Sequence, residues 1–558
     1  MSIDSAARAY GANNLVELLR ARATHEPSNP AYHWLPDGDS SVVETLTYAQ
    51  LDAQARAIAA WLQSERGRQE RALLLYPPGL EYIAAYFGCL YAGVIAVPAY
   101  PPRLNKANPR ISAIVADAQA HLALTTDAIH SKLAARFAET PDLAAMHWLA
   151  TDKIDVATAD VWKPVEVQPE TIAFLQYSSG TTRSPRGVKI THGNLVANSR
   201  MIAQGFEHVP DERGVFWLPI YHDMGLIGGV LQPMWIGRPT TLMPPAAFLQ
   251  SPFRWLKAIS DFKANVSGGP DMAYDLCSRA ISEEQKKLLD LSHWDLAFTG
   301  AEPIRPATLD RFCEAFGPCG FRREAFYPCF GGAESTLIVT GGRRREAPPV
   351  RAFDRALLRQ GRAVISDAKD ATRLVGLGRP LGELQLRIVD PATREVLPEG
   401  RVGEAWLKGR SVGTGYWGDA QGFDAHTSQG DGGWMRTNDL AFVHDGELFF
   451  AARLSDVVTI GGQVYYPQDL EMAAEHAHPS LREGFGAAFS VERNGRQELV
   501  LVFELERRTK ADMDAIGPAV QRALKDTLGV DVDAITLVRM LSIPKTTSGK
   551  IQRFATRD

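Results

Sequence analysis

Between Tyr177 and Leu195 the chain reads YSSGTTRSPRGVKITHGNL, directly after the apolar run Ile172 to Gln176. Ser178, Ser179, Thr181 and Thr182 surround Gly180, and Arg183 and Arg186 follow. A loop of this make-up offers backbone N–H groups, hydroxyl donors and cations in one place, which suits a polyphosphate. An ordinary polar surface loop is the competing reading, and the density of hydroxyls around one glycine weighs against it.

Other strings fit a chemistry only on paper. Gly413-Thr-Gly415-Tyr-Trp-Gly418 has the GxGxxG spacing of a dinucleotide turn, but the helix that must open there is missing from the pattern that follows. Gly409-Arg-Ser411-Val-Gly413 has the spacing of a nucleophile elbow, with Asp439 and His476 downstream in hydrolase order, and lacks the same helix. A serine hydrolase stands as the rival from another reaction class. Ser548-Gly549-Lys550 has Pro544 where a phosphate loop of the Walker type needs its first glycine. His476 and His478 come without the carboxylate or cysteine cluster of a metal site.

The remaining motifs gain weight from their order. Gly300-Ala301-Glu302-Pro303 is followed by Phe330-Gly331-Gly332-Ala333-Glu334, then Trp434-Met-Arg436-Thr437-Asn438-Asp439, then Arg453, then Ile543 to Ile551 with Lys550 inside it. With the Ser/Thr/Gly loop, this series resembles the motif set of the adenylate-forming superfamily, which includes acyl-CoA synthetases, luciferases and the adenylation domains of peptide synthetases. Tyr76 to Arg103, Trp217 to Pro233, and Phe248-Leu249 through Arg254-Trp255-Leu256 resemble more narrowly its fatty acyl-AMP ligase branch.

The resemblance implies roles. Lys550, Glu334 and Thr182 would be catalytic, with Glu334 holding Mg²⁺. ATP would be bound by Ser178, Ser179, Gly180, Thr181, Thr182, Gly300, Ala301, Glu302, Phe330, Gly331, Asp439 and Arg453, the Asp439 carboxylate taking the ribose hydroxyls. The acyl chain would lie beside His222, Met224, Gly225, Ile227, Gly228 and Asp271, and Leu454-Ser455 would form a hinge. The 105 residues from Glu334 to Asp439 include a stretch near 345–373 where these ligases carry an insertion thought to oppose use of coenzyme A. Phe330, Asn438 and Asp271 stand where relatives commonly have tyrosine, glycine and asparagine. The implied reaction is attack of a fatty acid carboxylate on ATP, releasing pyrophosphate, then transfer of the acyl group to an acyl carrier protein or a polyketide or peptide synthase carrier domain in trans. A carrier in trans is expected because the sequence shows no glycine-flanked serine opening a helix. An acyl-CoA synthetase, an amino acid activator and a non-catalytic nucleotide or lipid sensor remain alternatives.

The elements that must position these residues alternate. Apolar runs at Ile172 to Gln176, Gly214 to Leu218 and Asp295 to Thr299 read as strands, and Pro252 to Ile259 and Ala307 to Phe316 as helices. This predicts an α/β protein: a large N-terminal domain over 1–453 with parallel-rich sheets packed by helices, and a small mobile α+β C-terminal domain over 454–558. Tyr82 to Pro102 carries no charge, yet its glycines and its change of texture at Ala92-Gly93 predict a buried helix followed by a buried strand, not a membrane span.

Lys+Arg 60 against Asp+Glu 65 leaves a net charge of -5, so no basic excess is available for a nucleic acid backbone. The five cysteines show no CxxC spacing, and no signal-like segment opens the chain; both fit a reducing cytoplasm.

Overall fold

The charge-free stretch from Tyr82 to Pro102 divides at Gly93. The helix Leu80–Ala92 ends there because Gly93 adopts φ 73°, a left-handed cap that costs a glycine nothing. The strand Ile95–Pro98 follows, paired in parallel with Arg71–Leu74, and both elements are buried. The computed structural model describes residues 9–65, 70–100, 109–135, 137, 140–177, 185–209, 211–493, 496–506, 513–546 and 551–558. Among them no helix is long and apolar enough to cross a membrane.

Two large sheets form the body. The first has six strands in the order His147–Ala150, Leu122–Thr125, Arg71–Leu74, Ile95–Pro98, Ile172–Tyr177 and Gly187–Thr191, parallel but for the last pair. The second has nine strands. Its centre is β1 (Gly214–Phe216), β2 (Thr240–Leu242), β3 (Val266–Gly269), β4 (Leu296–Thr299) and β5 (Phe326–Gly331), in the spatial order β5-β4-β3-β1-β2 and all parallel. The chain passes from β1 to β2 on one side and then crosses to β3 on the other. In open α/β sheets such a reversal leaves a crevice at the carboxyl ends of the two strands where it occurs, here β1 and β3. These strands are short and wholly apolar or small because helices cover both faces.

A four-stranded antiparallel sheet follows, Gln385–Val389, Gly403–Lys408, Met435–His444 and Glu447–Arg453. Beyond Val458 the apolar side chains gather around a separate core, formed by the sheet Leu481–Arg493, Arg496–Leu505 and Ala534–Val538 with the helices Pro467–Glu475 and Met513–Leu528.

Inside the stretch 345–373 and just past it, Val350–Phe353 pairs antiparallel with Thr372–Val375, and a short helix, Arg355–Arg359, lies between them. Phe353 and Leu358 are buried with Phe442, Phe449 and Tyr466. On the outer side, Arg355 and Arg359 donate to the carbonyls of Thr527 (3.5 Å) and Leu528 (3.2 Å), and Tyr466 donates to the Leu358 carbonyl at 3.2 Å. This unit therefore ties the four-stranded sheet to the C-terminal helix Met513–Leu528. Its arginines meet the negative end of that helix dipole.

Candidate functional site

The antiparallel register of the four-stranded sheet sets Asp439 directly opposite Arg453, with Nε 3.7 Å from the carboxylate. Asn438 precedes it at φ 62°, and its N–H donates to Glu404 at 3.0 Å. That backbone shape explains why glycine is common at this position and why asparagine, the most tolerant of the other residues in the left-handed region, can replace it.

Glu334 sits just beyond β5 on the single turn Ala333–Ser335. Thr336 then adopts φ 74°, ψ −64°, a strained γ-turn conformation, and its hydroxyl is anchored on the Ser411 carbonyl at 2.5 Å. The Gly413 N–H donates to the Glu334 carbonyl (2.8 Å) and the Tyr416 hydroxyl to the Glu334 carboxylate (3.1 Å). Burial and the neighbouring Glu334 raise the Tyr416 phenol, keeping it a donor. Arg186 lies 3.7 Å above the Tyr416 ring. The GxGxxG and GxSxG strings are thus bracing for Glu334. No helix follows them, and the Ser411 hydroxyl is buried outside the cavity described next, which removes the hydrolase reading.

Phe330, Glu334, Tyr416, Asp439 and Arg453 all line one cavity of about 630 Å³. At Gly331 an added Cβ would come within 1.8 Å of the Leu337 carbonyl, so the backbone bearing Phe330 and Glu334 passes where no side chain fits. From this end the cavity continues between the helix His192–Gly205 and the nine-stranded sheet, past Ile202, Phe206, Phe216, Phe298 and Ile338. It joins an acidic and aromatic mouth to an apolar interior, which suits one molecule with a polar head and a hydrocarbon tail, or two substrates meeting end to end.

The acyl-side expectations divide. His222, Met224 and Gly228 line the cavity; Gly225, Ile227 and Asp271 do not. Met224–Leu231 is π-helical, a conformation that collects at functional sites. Within it a Cβ on Gly228 would meet only the Leu337 side chain, at an ordinary 3.6 Å, whereas a Cβ on Gly225 would meet the Pro219 carbonyl at 2.0 Å, so Gly225 permits a close backbone approach and leaves no room for ligand. Ile227 is fully buried in the core. Asp271 opens the helix Asp271–Ala280 and accepts from the Arg305 N–H (3.0 Å) and the Thr308 hydroxyl (2.9 Å). Burial, with Glu302 beside it, pushes its carboxyl up to about 7.

Ala301 lines the mouth at φ 68°, while Gly300 packs on Cys329 and Glu302 caps Met272 at 2.7 Å, both outside the lining. Cys329 itself lines the cavity; its thiol donates to the Thr299 carbonyl at 3.3 Å, and burial pushes it up to about 12. Ser178, Ser179, Gly180, Thr181, Thr182 and Lys550 lie outside the described residues. Their described neighbours Tyr177, Arg186 and Thr546 line the mouth, and Lys545 pairs with Ile551 across the lysine motif. Ser455 and Asp456, in the turn Leu454–Asp456, line it as well. Sequence reasoning missed Tyr416 and the tunnel aromatics. The glycine-rich setting of Tyr416 was a signal, but the aromatics look like any core residue.

The AMP-binding enzyme family model matches residues 19–417. The medium-chain-fatty-acid–[acyl-carrier-protein] ligase JamA of Moorena producens is 40% identical over 98% of this chain and 94% of its own length. The long-chain-fatty-acid–AMP ligase FadD32 of Mycolicibacterium smegmatis is 36% identical over 92% and 89%. The crystal structure of a fatty acyl-adenylate ligase from L. pneumophila, in complex with acyl adenylate and pyrophosphate, superposes with a TM-score of 0.78 at 36% identity, covering 98% of this chain and 96% of that one. The cavity, the order of its motifs and these full-length matches agree, and the chain belongs to the AMP-binding enzymes, in the branch of the fatty acyl-AMP ligases.

Proposed function

We propose that this ligase activates a fatty acid of medium length as its adenylate and passes the acyl group to the phosphopantetheine thiol of a carrier protein. The observation that carries this reading is the single cavity joining Glu334 and Asp439 to an apolar tunnel. In the first step a carboxylate oxygen attacks the α-phosphorus of ATP and the bond to the β-phosphate breaks, releasing pyrophosphate. In the second the thiol sulfur attacks the acyl carbon, AMP leaves, and the thiol proton passes to solvent.

Two anions must meet in the first step, so electrostatics dominates it. Asp439 takes the ribose hydroxyls, Phe330 stacks on the base, and the loop Ser178 to Thr182 with Lys550 cradles the phosphates. Among the described residues no three His, Cys, Asp or Glu side chains cluster as a metal cage. A lone carboxylate such as Glu334 fits Mg²⁺, which favours one or two carboxylates together with substrate phosphates and water. When bound, that ion neutralises phosphate charge.

Tunnel length sets the acyl length. Val266 lies opposite Leu296, and Ala301 is five residues further on. The strand part of this span, Leu296–Thr299, is about 10 Å long at about 3.3 Å per residue, and an extended chain advances about 1.2 Å per bond, so roughly eight or more carbons fit. The relatives JamA and TtuA are both named medium-chain-fatty-acid ligases that act on acyl carrier protein. The domain boundary at 453/454 and the hinge at Leu454-Ser455 belong to the same reading, supported by the separate core beyond Val458.

The test is mass spectrometry of products from purified protein, Mg·ATP and fatty acids of graded length, with and without coenzyme A. Acyl-AMP that persists in the presence of coenzyme A is expected. Conversion to acyl-CoA would move the chain to the synthetases.

A further inference from the structure

The cavity does not end as it begins. Strand direction identifies its two ends: Phe330 and Glu334 lie at and beyond the carboxyl end of β5, whereas Glu212 precedes β1 and Arg238 precedes β2. The helix His192–Gly205 agrees, since Asn198 bonds the Ser335 carbonyl at one end and the chain reaches His208 at the other. At this far end the apolar lining gives way to His208, Glu212, Gln232 and Arg238.

The hydrogen-bond pattern there is nearly closed. His208 Nδ1 pairs with Glu212, Glu212 holds Arg344 at 2.7 Å, and Arg344 holds Asp295 at 2.6 Å. His208 Nε2 lies 3.3 Å from the Gln232 amide nitrogen, and with the imidazole proton on Nδ1 toward Glu212 that ring nitrogen accepts from the amide. This orients the amide and leaves Gln232 Oε1 with no protein partner, on a side chain only 3% exposed. Arg238 Nε is likewise buried without a hydrogen-bond partner. An orphaned acceptor and an orphaned donor therefore border the end of an otherwise apolar tunnel.

We propose that this end is a recognition subsite for a hydroxyl at the far terminus of the acyl substrate. The proposal rests on the acyl-adenylation reading given above. A terminal hydroxyl donates to Gln232 Oε1 and offers its own oxygen as an acceptor to the Arg238 side. A terminal methyl leaves the buried amide oxygen unpaired, and sites built to bond a hydroxyl discriminate against analogues that lack it. A terminal carboxylate has no proton for Gln232 Oε1 and would sit near the Glu212 charge.

The experiment measures kcat/KM for pyrophosphate release with octanoate, decanoate and dodecanoate, each against its ω-hydroxy and ω-carboxy counterpart, with acyl-AMP identified by mass spectrometry. For the chain length that reaches the subsite, the ω-hydroxy acid is expected to exceed the unsubstituted acid by about tenfold or more. Gln232→Leu should bring that ratio toward one, partly by raising the rate on the unsubstituted acid, a gain that misfolding cannot produce. Equal or lower kcat/KM for the ω-hydroxy acid at every length overturns the proposal, as does a Gln232→Leu variant that keeps the wild-type ratio. Absence of acyl-AMP from every acid overturns the acylation reading and this subsite with it.

Discussion

At the scale of single residues the site sets charged, half-buried side chains at the mouth of an apolar cavity. On the proposed reading Asp439, opposite Arg453, offers its carboxylate to the two ribose hydroxyls, and such charge-assisted bonds are worth roughly 1.5–3 kcal/mol. Asp439→Ala should therefore raise the KM for ATP about ten- to a hundredfold, read from initial rates of pyrophosphate release. On the proposed role of Lys550 as a donor to the phosphates, Lys550→Ala should slow adenylation about a hundred- to a thousandfold. Near-wild-type adenylate formation by that variant would sink the assignment of Lys550. Asp271 behaves differently, because it lies outside the cavity lining and is costly when charged. Its carboxyl is raised from 3.8 to about 7 by burial, so between those values the folded chain keeps a proton that the unfolded chain has released. Stability contributed at this position is therefore present at low pH and lost as pH rises through about 7. Asparagine has no proton to lose and can still meet the Arg305 N–H and the Thr308 hydroxyl. The stability advantage of Asp271→Asn over the unmodified protein should grow between pH 5 and pH 8 in denaturant titrations; a constant difference would show that Asp271 is not the titrating group.

At the scale of elements, the strap formed by Val350–Phe353, Arg355–Arg359 and Thr372–Val375 links two parts of the chain that are far apart in sequence. Its inner face is core, so deletion would remove Phe353 and Leu358 and uncover Phe442 and Phe449, whereas on its outer side Arg355 and Arg359 bond to the end of the helix Met513–Leu528. Arg355→Ala with Arg359→Ala should loosen the strap without opening the core and let acyl-CoA appear in product analysis where the unmodified protein makes acyl-AMP. No acyl-CoA above the parent level would mean that the strap does not restrict the acceptor. Such elements were only partly legible in the sequence. Strands such as Ile172–Tyr177 and Leu296–Thr299 and the helix Pro306–Phe316 announce themselves by short apolar runs and by helical spacing. Glu334, Asp439 and Arg453 were legible through their ordered motifs, and the structure brings them to one cavity. The tunnel was not legible: Ile202, Phe206, Phe216 and Phe298 come from different elements, and each is an unremarkable core residue until the sheet brings them together. Gly225 shows the converse. Its neighbours suggested room for a ligand, and the backbone of Pro219 fills it.

At the scale of the whole molecule, ion pairs help to hold the C-terminal part over the cavity mouth. Arg279 and Arg311 both reach Glu483, the latter at 3.2 Å, Arg305 lies 3.7 Å from Glu475, and Thr546 and Phe554 close over the mouth. Ion pairs on partly exposed side chains are individually weak and yield to salt, which suits a contact that must be broken and remade. Glu483→Lys faces two arginines with a like charge. It should slow adenylation by on the order of tenfold and enlarge the radius of gyration seen by X-ray scattering; an unchanged scattering profile with unchanged adenylation would show that this contact does not hold the mouth closed.

Cys329 stands on the wall of the chamber in which a mixed anhydride is made, and such anhydrides acylate thiols readily. The enzyme thus builds its product within sight of its own nucleophile. With the thiol pushed up to about 12 by burial and committed to the Thr299 carbonyl, the nucleophilic thiolate is scarcely populated at neutral pH. Self-capture is suppressed by the same burial that shapes the cavity, and the activated acyl group survives for a thiol brought from outside.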